Sequence, residues 1–370
     1  MKTVKIAMIG VGNISGIYLK NLTGLFKEVE LIGVCDLVRE RAEKAQQEYG
    51  IPKLYETMHD AFADPEVDVV LNLTRPYEHF EVSRAALEAG KHVYSEKPLG
   101  ADLEEGKALV KLAQEKGLHL GGAPDTFLGA GIQTCRRLID DGWIGTPIGS
   151  AAFMIGRGPE PWHPDPEFFY KRGGGPMFDM GPYYLTAMIN LMGGVKKVFS
   201  ASRASFPQRV IGSQPFAGQT IDVDVNTYIA GTVQYESGAI GTIFTTFDVH
   251  FPGAKRRFIE IYGTEGTLFV PDPNTFGGKV ELYRPEDGAL KEIPLMYGYP
   301  ENSRALGLTD MCKAILAGRE ARCDVQQTFH VLEMITGFDT SAKTGEWVKM
   351  ESSYHRTPAM ALPRLKGVLD

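Results

Sequence analysis

A chain of 370 residues exceeds the usual size of one domain, so two domains are expected. Hydrophobic residues make up 43% and charged residues 23%, enough apolar material for large cores. The net charge of −7 argues against nucleic acid or an anionic membrane as the main partner and points to a cytoplasmic enzyme with a small-molecule substrate.

No segment is long and apolar enough to span a membrane, and the apolar run near residue 5 is too short for a signal-peptide core. Cys35, Cys135, Cys312 and Cys323 show neither metal-ligand nor redox spacing. They are expected to be buried, inert thiols, and no metal site is expected.

Residues 4–9 form an apolar strand. Ile14, Ile17, Tyr18, Leu22 and Leu25 then recur at helical spacing. A second strand covers 31–35, and a helix covers 39–49, stopped by Gly50. A third strand at 67–73 leads to a helix at about 78–89, closed by Gly90. Strand 92–95, helix 103–116 with its stop at Gly117, and strand 118–121 complete the series. Strands that alternate with helices predict a parallel sheet with right-handed crossovers, an α/β Rossmann unit over residues 1–123.

After residue 123 the pattern changes. A helix over 126–141 leads into long alternating strands. Strands 226–235 and 239–249 flank the turn Glu236-Ser237-Gly238, and strands 258–262 and 267–270 flank residues 263–266. Helices return at 303–316 and 325–342. Residues 124–370 therefore read as an α+β domain on a large, mostly antiparallel open sheet. The outer face of such a sheet needs cover, and a homodimer or homotetramer would supply it. Arg256 and Arg257 read as surface or interface charges.

The first loop is Gly10-Val11-Gly12-Asn13-Ile14-Ser15-Gly16, leaving a buried strand and entering a helix. Gly10 permits a tight turn, Gly12 lets a pyrophosphate approach the backbone, and the helix N-terminus offers free N–H groups. Ser15 takes the third glycine position and is small enough for helix–strand packing. Asp36 closes the second strand, placed to accept hydrogen bonds from a ribose and to repel a 2′-phosphate. Arg39 and Arg41 lie just beyond it and pull toward NADP, with Asp36 favouring NAD.

A lysine fixed by a following proline ends strand 92–95, in Glu96-Lys97-Pro98. The carboxyl ends of such strands face the ligand crevice. This motif, the Gly-Val-Gly-Asn-Ile loop, and the Gly-Gly-Gly-x-x-x-Asp run ending at Asp179 resemble the Gfo/Idh/MocA oxidoreductase family, which groups glucose–fructose oxidoreductase with inositol dehydrogenase-like proteins. The resemblance covers nearly the whole chain, with the three motifs in the family's order.

It implies NAD(P)-dependent oxidation or reduction of a secondary alcohol on a sugar, inositol or related polyol. It carries Lys97 over as an active-site residue contacting substrate and nicotinamide, with Glu96 and Pro98 supporting that loop. It places Thr74 and His79 at the cofactor, with a helix cap as the alternative for His79. Asp179 and Tyr183 stand at i, i+4, the spacing of one helix face. Many members have histidine where this chain has Tyr183, while a tyrosine-containing branch resembles this chain. A free tyrosine has a pKa of about 10 and needs a neighbouring cation to accept a proton near neutrality, for which Lys97 is the candidate. The alternatives are packing for Tyr183 and an N-terminal helix cap for Asp179. Asp125 also reads as a helix cap.

Trp162-His163-Pro164 lies in a long loop rich in glycine and proline. Flat aromatics stack on sugar C–H faces, so Trp162 and His163 are candidates for substrate binding. No arginine cluster suited to a phosphorylated substrate is evident. A sugar, glycoside or polyol oxidised at a ring alcohol is expected. Two competing readings are an NAD-retaining glycosidase that works by transient oxidation and elimination, and a non-catalytic NAD-sensing protein.

Overall fold

The computed structural model describes residues 3–250, 257–362 and 369. The first sheet is built in the alternating order expected from the sequence, with one further short strand and helix over residues 53–63 that were not expected. Strand β1 (Val4–Ile9) leads to α1 (Ser15–Gly24), β2 (Val29–Cys35) to α2 (Arg39–Tyr49), and β3 (Lys53–Leu54) to α3 (Met58–Ala63). Then follow β4 (Val69–Asn72), α4 (His79–Glu88), β5 (His92–Ser95), α5 (Leu103–Lys116) and β6 (Leu120–Gly122).

The six strands lie in the order β3-β2-β1-β4-β5-β6 and every pairing is parallel. The central strands are largely apolar, as strands covered on both faces are, and every residue of β4 is buried. The order reverses between β1 and β4, and ligands bind at the carboxyl ends of strands beside such a reversal.

A short 3-10 turn, Thr126–Leu128, precedes α6 (Ala130–Asp140). The single helix expected over 126–141 is thus interrupted, because Gly129 takes an extended conformation at ψ 163°.

The second sheet contains β7 (Pro147–Ile155), β8 (Val195–Arg203), β11 (Tyr228–Tyr235), β12 (Ile240–Thr246), β13 (Arg257–Gly263), β14 (Thr267–Val270), β15 (Val280–Tyr283), β16 (Leu290–Ile293) and β17 (Val348–Lys349). Helices α7 (Gly175–Asp179) and α8 (Gly181–Met192) and the small pair β9 (Gln208–Val210) and β10 (Thr220–Asp222) are inserted among them. Only β7 and β12 pair in parallel; the other pairings in this sheet are antiparallel. Sequence reading overlooked β7, whose small residues Gly149, Ser150, Ala151 and Ala152 blur the alternation of apolar and polar positions.

Helix α9 (Leu306–Ala317) begins three residues later than expected, and α10 (Val325–Thr344) runs slightly longer. All twelve residues of α8 are buried, as its all-round apolar sequence requires. On one face of the second sheet Ala152, Ile243 and Ile259 are fully buried. On the other, Phe153 stacks on Phe258 at 5.0 Å and Tyr228 meets Phe244 edge-on at 4.8 Å, all half-buried.

The chain forms two compact units. Residues 1–130, 296–329 and 357–370 make the first, and residues 131–295 and 330–356 the second. The expected division at 123/124 leaves out this return of α9 and the C-terminal segment to the first unit. Asp310, fully buried in α9, ties the two returning segments to each other. It pairs with Arg322 at 2.6 Å, and Arg322 also donates to the carbonyls of Pro358 and Ala359. Of the basic pair read as surface charges, Arg256 lies outside the described residues.

Candidate active site

The glycine loop at the head of β1 is shaped as expected. Gly10 has φ +97°, and a Cβ there would meet the Leu73 carbonyl oxygen at 2.7 Å. Gly10 N–H donates to the Cys35 carbonyl at 2.8 Å, drawing the loop against the end of β2. Gly12 and Asn13 are exposed, and nothing lies within 4 Å of where a Gly12 Cβ would stand. Helix α1 begins after Ile14 with no side-chain cap; the Ser15 N–H turns back to the Gly12 carbonyl at 3.1 Å, and the first-turn N–H groups after it are the ones offered to an anion. Buried Ser15 donates from Oγ to the Gly12 carbonyl at 2.7 Å. This open backbone over an uncapped helix start fits a dinucleotide pyrophosphate.

Asp36 closes β2 and fixes the rim of that cradle. Its Oδ2 accepts the Val11 N–H at 2.6 Å and its Oδ1 accepts the Val38 N–H at 2.7 Å. Lone pairs remain on both oxygens for ribose hydroxyls. Arg41 is exposed on α2, and the next residue, Ala42, faces the core.

Two further loops carry the remaining cofactor candidates, and Asn72 organises the first. This fully buried residue, which sequence reading passed over, ends β4. Its Oδ1 accepts from Thr74 Oγ1 at 2.7 Å, and its Nδ2 donates to the His79 carbonyl and to Ser83 Oγ, both at 3.0 Å. A polar residue closing the apolar run Val69–Asn72 is the one signal that could have flagged it.

His79 is buried as the first residue of α4 and makes no cap. Its ring spans two loops, with Nδ1 2.8 Å from the Pro98 carbonyl and Nε2 3.0 Å from the Thr74 carbonyl. Burial lowers its pKa, while those two carbonyls and the Glu96 charge pull the other way.

Glu96 is buried behind the lysine. Its Oε1 accepts from Tyr18 Oη at 2.8 Å, and its Oε2 accepts the Lys97 N–H at 3.1 Å. Burial, then the Glu96 charge, push the Tyr18 phenol well above its ordinary pKa, so it stays a donor. Lys97 is half-buried at the carboxyl end of β5, and the Lys97–Pro98 bond is cis.

In the second unit, Asp179 and Tyr183 do not share one unbroken helix. Asp179 is the last residue of α7, and Tyr183 lies in the first turn of α8. Pro182 has no N–H to donate back, and the Tyr183 N–H reaches Met180 instead of Asp179. The break also removes the N-terminal cap reading for Asp179, since Met180 is the cap residue and α8 has no side-chain cap. Asp179 is half-buried and Tyr183 buried.

Trp162 is 65% exposed and His163 only 9%. The imidazole is caged edge-on by Trp162, Phe168 and Phe169 at 5.1–5.5 Å. Its Nδ1 accepts the Asp165 N–H at 3.1 Å, which puts the proton of the neutral ring on Nε2. Burial lowers its pKa, partly opposed by the charges of Asp165 and Asp179.

The loop carrying this pair rests on a buried ion cluster that sequence reading missed. Arg209 on β9 donates to Glu160 Oε1 at 3.1 Å and to Asp248 Oδ1 at 2.5 Å, with all three side chains at most 5% exposed. It also donates to the carbonyls of Arg157 and Phe247, and Tyr170 donates to Glu160. Ser213 Oγ donates to the His163 carbonyl, tying the neighbouring loop to the same segment.

Asp125 caps a helix, but not the one it precedes. Its Oδ2 accepts the Gly307 N–H at 3.1 Å in the first turn of α9, and burial pushes its carboxyl up to about 6. All four cysteines are buried. Among the described residues no group of three or more metal-ligating side chains occurs, and no helix is long and apolar enough to cross a membrane.

Comparisons with known proteins agree with this layout. Residues 4–122 match the model of the oxidoreductase family with an NAD-binding Rossmann fold, GFO_IDH_MocA, and residues 132–269 match the GFO/IDH/MocA C-terminal domain. The chain is 29% identical over 275 residues to scyllo-inositol 2-dehydrogenase (NAD(+)) of Bacillus subtilis, covering 72% of this chain and 73% of that one. It is 23% identical over 356 residues to D-glucoside 3-dehydrogenase of Escherichia coli, covering 94% and 97%. A structure of levoglucosan dehydrogenase in complex with NADH and L-sorbose shares the fold, with a TM-score of 0.82 at 20% identity over 95% of this chain and 99% of that one. With both of its halves matched, the chain belongs to the Gfo/Idh/MocA family and is an NAD-binding oxidoreductase.

Proposed function

We propose that this chain oxidises a ring secondary alcohol of a sugar, glycoside or cyclic polyol, with NAD as the acceptor. The observation that carries the redox reading is the open cradle at Gly10 and Gly12, rimmed by the fixed carboxylate of Asp36. The substrate class is supported by relatives named for inositols and D-glucosides, of which the glucoside enzyme matches over 94% of this chain. A pyranose or pyranoside is the preferred substrate in this reading. Trp162 offers an apolar face for it and His163 a hydrogen-bond donor.

Bound NAD supplies the hydride acceptor. The cofactor is held by Gly10, Gly12, Asn13 and Ile14 at the pyrophosphate, by Asp36 and Arg41 on the adenosine side, and by Thr74 and the Glu96-Lys97-Pro98 loop. His79 contributes as the brace between those last two loops. Asp179 orients the substrate hydroxyl and Tyr183 takes its proton, as in the tyrosine-containing branch of the family. Lys97 is assigned to the same reaction by the family resemblance. The enzyme works in the cytoplasm as a homodimer or homotetramer. The half-buried aromatic row of Phe153, Phe244 and Phe258 supports association through the sheet face that carries it.

A panel of sugars, inositols and aryl glycosides mixed with protein and NAD tests the reading. NADH formed in proportion to substrate supports it. Aglycone released without NADH would point to the NAD-retaining glycosidase instead. With the substrate in hand, Tyr183→Phe should flatten the alkaline activation of the pH–rate profile, and an unchanged profile would assign the base elsewhere.

A further inference from the structure

Arg39 stands three residues beyond Asp36, at the first position of α2. An arginine so close to the ribose-binding acid is the natural partner of a 2′-phosphate, which pairs best with a guanidinium. Here that guanidinium is already engaged. Its Nε donates to Glu43 Oε1 at 2.6 Å, one helical turn along α2, and its Nη1 pairs with Glu56 from the loop between β3 and α3. Both ion pairs are solvent-exposed, so they add little to stability, and their main consequence is where they hold the guanidinium.

A second observation concerns the field at the end of β2. The Cys35 thiol is pushed up to about 11, first by burial and then by the charges of Asp36, Asp60 and Glu56. The carboxylates of Asp60, in α3, and Glu56, just before it, thus act on the end of β2 together with Asp36. Asp60 is committed to the start of α3, accepting from Thr57 N–H at 2.9 Å and Thr57 Oγ1 at 2.8 Å. Glu43 and Glu56 are the two carboxylates that hold Arg39.

We propose that Glu43 and Glu56 are determinants of cofactor selectivity: by pairing with Arg39 they hold its guanidinium away from a ribose 2′-phosphate. This rests on the reading of the first unit as an NAD site. It goes beyond the strand-end acid, because removing Asp36 alone would leave the arginine occupied.

The test needs no substrate. The full chain and its variants are titrated with NADH and with NADPH, following nicotinamide fluorescence, at low and high salt. The variants are Asp36→Ser, that change with Glu56→Gln, that pair with Glu43→Gln, and the triple variant with Arg39→Ala added. Arg41 is kept in all of them. Freeing Arg39 should raise NADPH affinity about tenfold above that of Asp36→Ser, and Arg39→Ala should remove the gain. The gain should shrink at about 1 M salt, where the Debye length falls to roughly 3 Å. The Glu56→Gln step should give part of the gain, which keeps the test decisive if the larger combinations fold poorly.

NADPH affinity unchanged from Asp36→Ser, or a gain that survives Arg39→Ala, overturns the proposal while leaving the NAD site intact. A wild-type chain that binds neither dinucleotide overturns the site itself, and the proposal with it.

Discussion

In the first unit the loops at the strand ends are fastened by hydrogen bonds to backbone groups. Asp36 takes two N–H groups, Glu96 one, Asn72 reaches the His79 carbonyl, and His79 spans two carbonyls. In the second unit the loop carrying Trp162 and His163 rests on Arg209 between two buried carboxylates. Hydrogen-bonded loops of the first kind fail locally when one partner is lost. A buried ion cluster fails as a whole, because removing one member strands the others without compensation. The cofactor side should therefore tolerate single substitutions better than the base of the loop carrying Trp162 and His163.

The largest expected effect is chemical. Lys97→Ala should lower kcat by about 10²–10⁴-fold, the range for loss of a group acting on proton transfer, with a much smaller change in NAD affinity. Turnover near the wild-type value would remove Lys97 from the reaction.

Arg209→Met addresses the contrast itself. It should destabilise the fold by about 3–5 kcal/mol in denaturant unfolding, and adding Glu160→Gln and Asp248→Asn should recover part of the loss. A loss below about 1 kcal/mol would mean that the cluster is solvated in practice and that the two regions do not differ in this way.

A third effect belongs to the second unit's core. Buried His330 accepts the Val195 N–H on Nε2 at 3.0 Å and meets Ser352 Oγ through Nδ1 at 2.7 Å, a pattern that requires the neutral ring. Burial lowers its pKa from the ordinary 6.5 to about 4. As pH falls below 6.5 the unfolded chain takes up the proton first, so stability is present above that value and is lost on the way down to about 4. The loss should approach 3 kcal/mol, roughly, and should be missing from the pH dependence of His330→Asn. Parallel pH curves for the two proteins would refute it.

Asn72→Ala should have the mildest effect, on the hydrogen-bonded loops of the first unit. It should cost about 1–3 kcal/mol through the polar groups it strands, and should weaken NAD binding by loosening the Thr74 loop. Calorimetry on the variant measures both.

The same contrast explains what could be read in advance. A pyrophosphate needs a tight turn, an open backbone and a helix start within a few residues, so Gly10 to Ser15 announce themselves locally. Asp36 and the Glu96-Lys97-Pro98 motif share that property, each sitting at the end of a strand whose apolar run is plain. The supports are different. Arg209 meets Glu160 from 49 residues away and Asp248 from 39, and Asp125 meets Gly307 from 182. No periodicity encodes such pairings, and a charged residue reads as solvent-exposed until its partners are known. The helix break between Asp179 and Tyr183 had a visible cause in Pro182, which the i, i+4 spacing concealed. The strand β7 was hidden by its own small residues.

A substrate screen run on wild type and Lys97→Ala side by side, reading NADH absorbance against substrate consumed, decides whether this chain is a ring-alcohol dehydrogenase that uses Lys97. Wild type should form one NADH per ring alcohol oxidised for at least one sugar, glycoside or cyclic polyol, with the signal lost in the variant. Tight NAD binding with no NADH formed across the panel, or equal turnover in the two proteins, would contradict this reading.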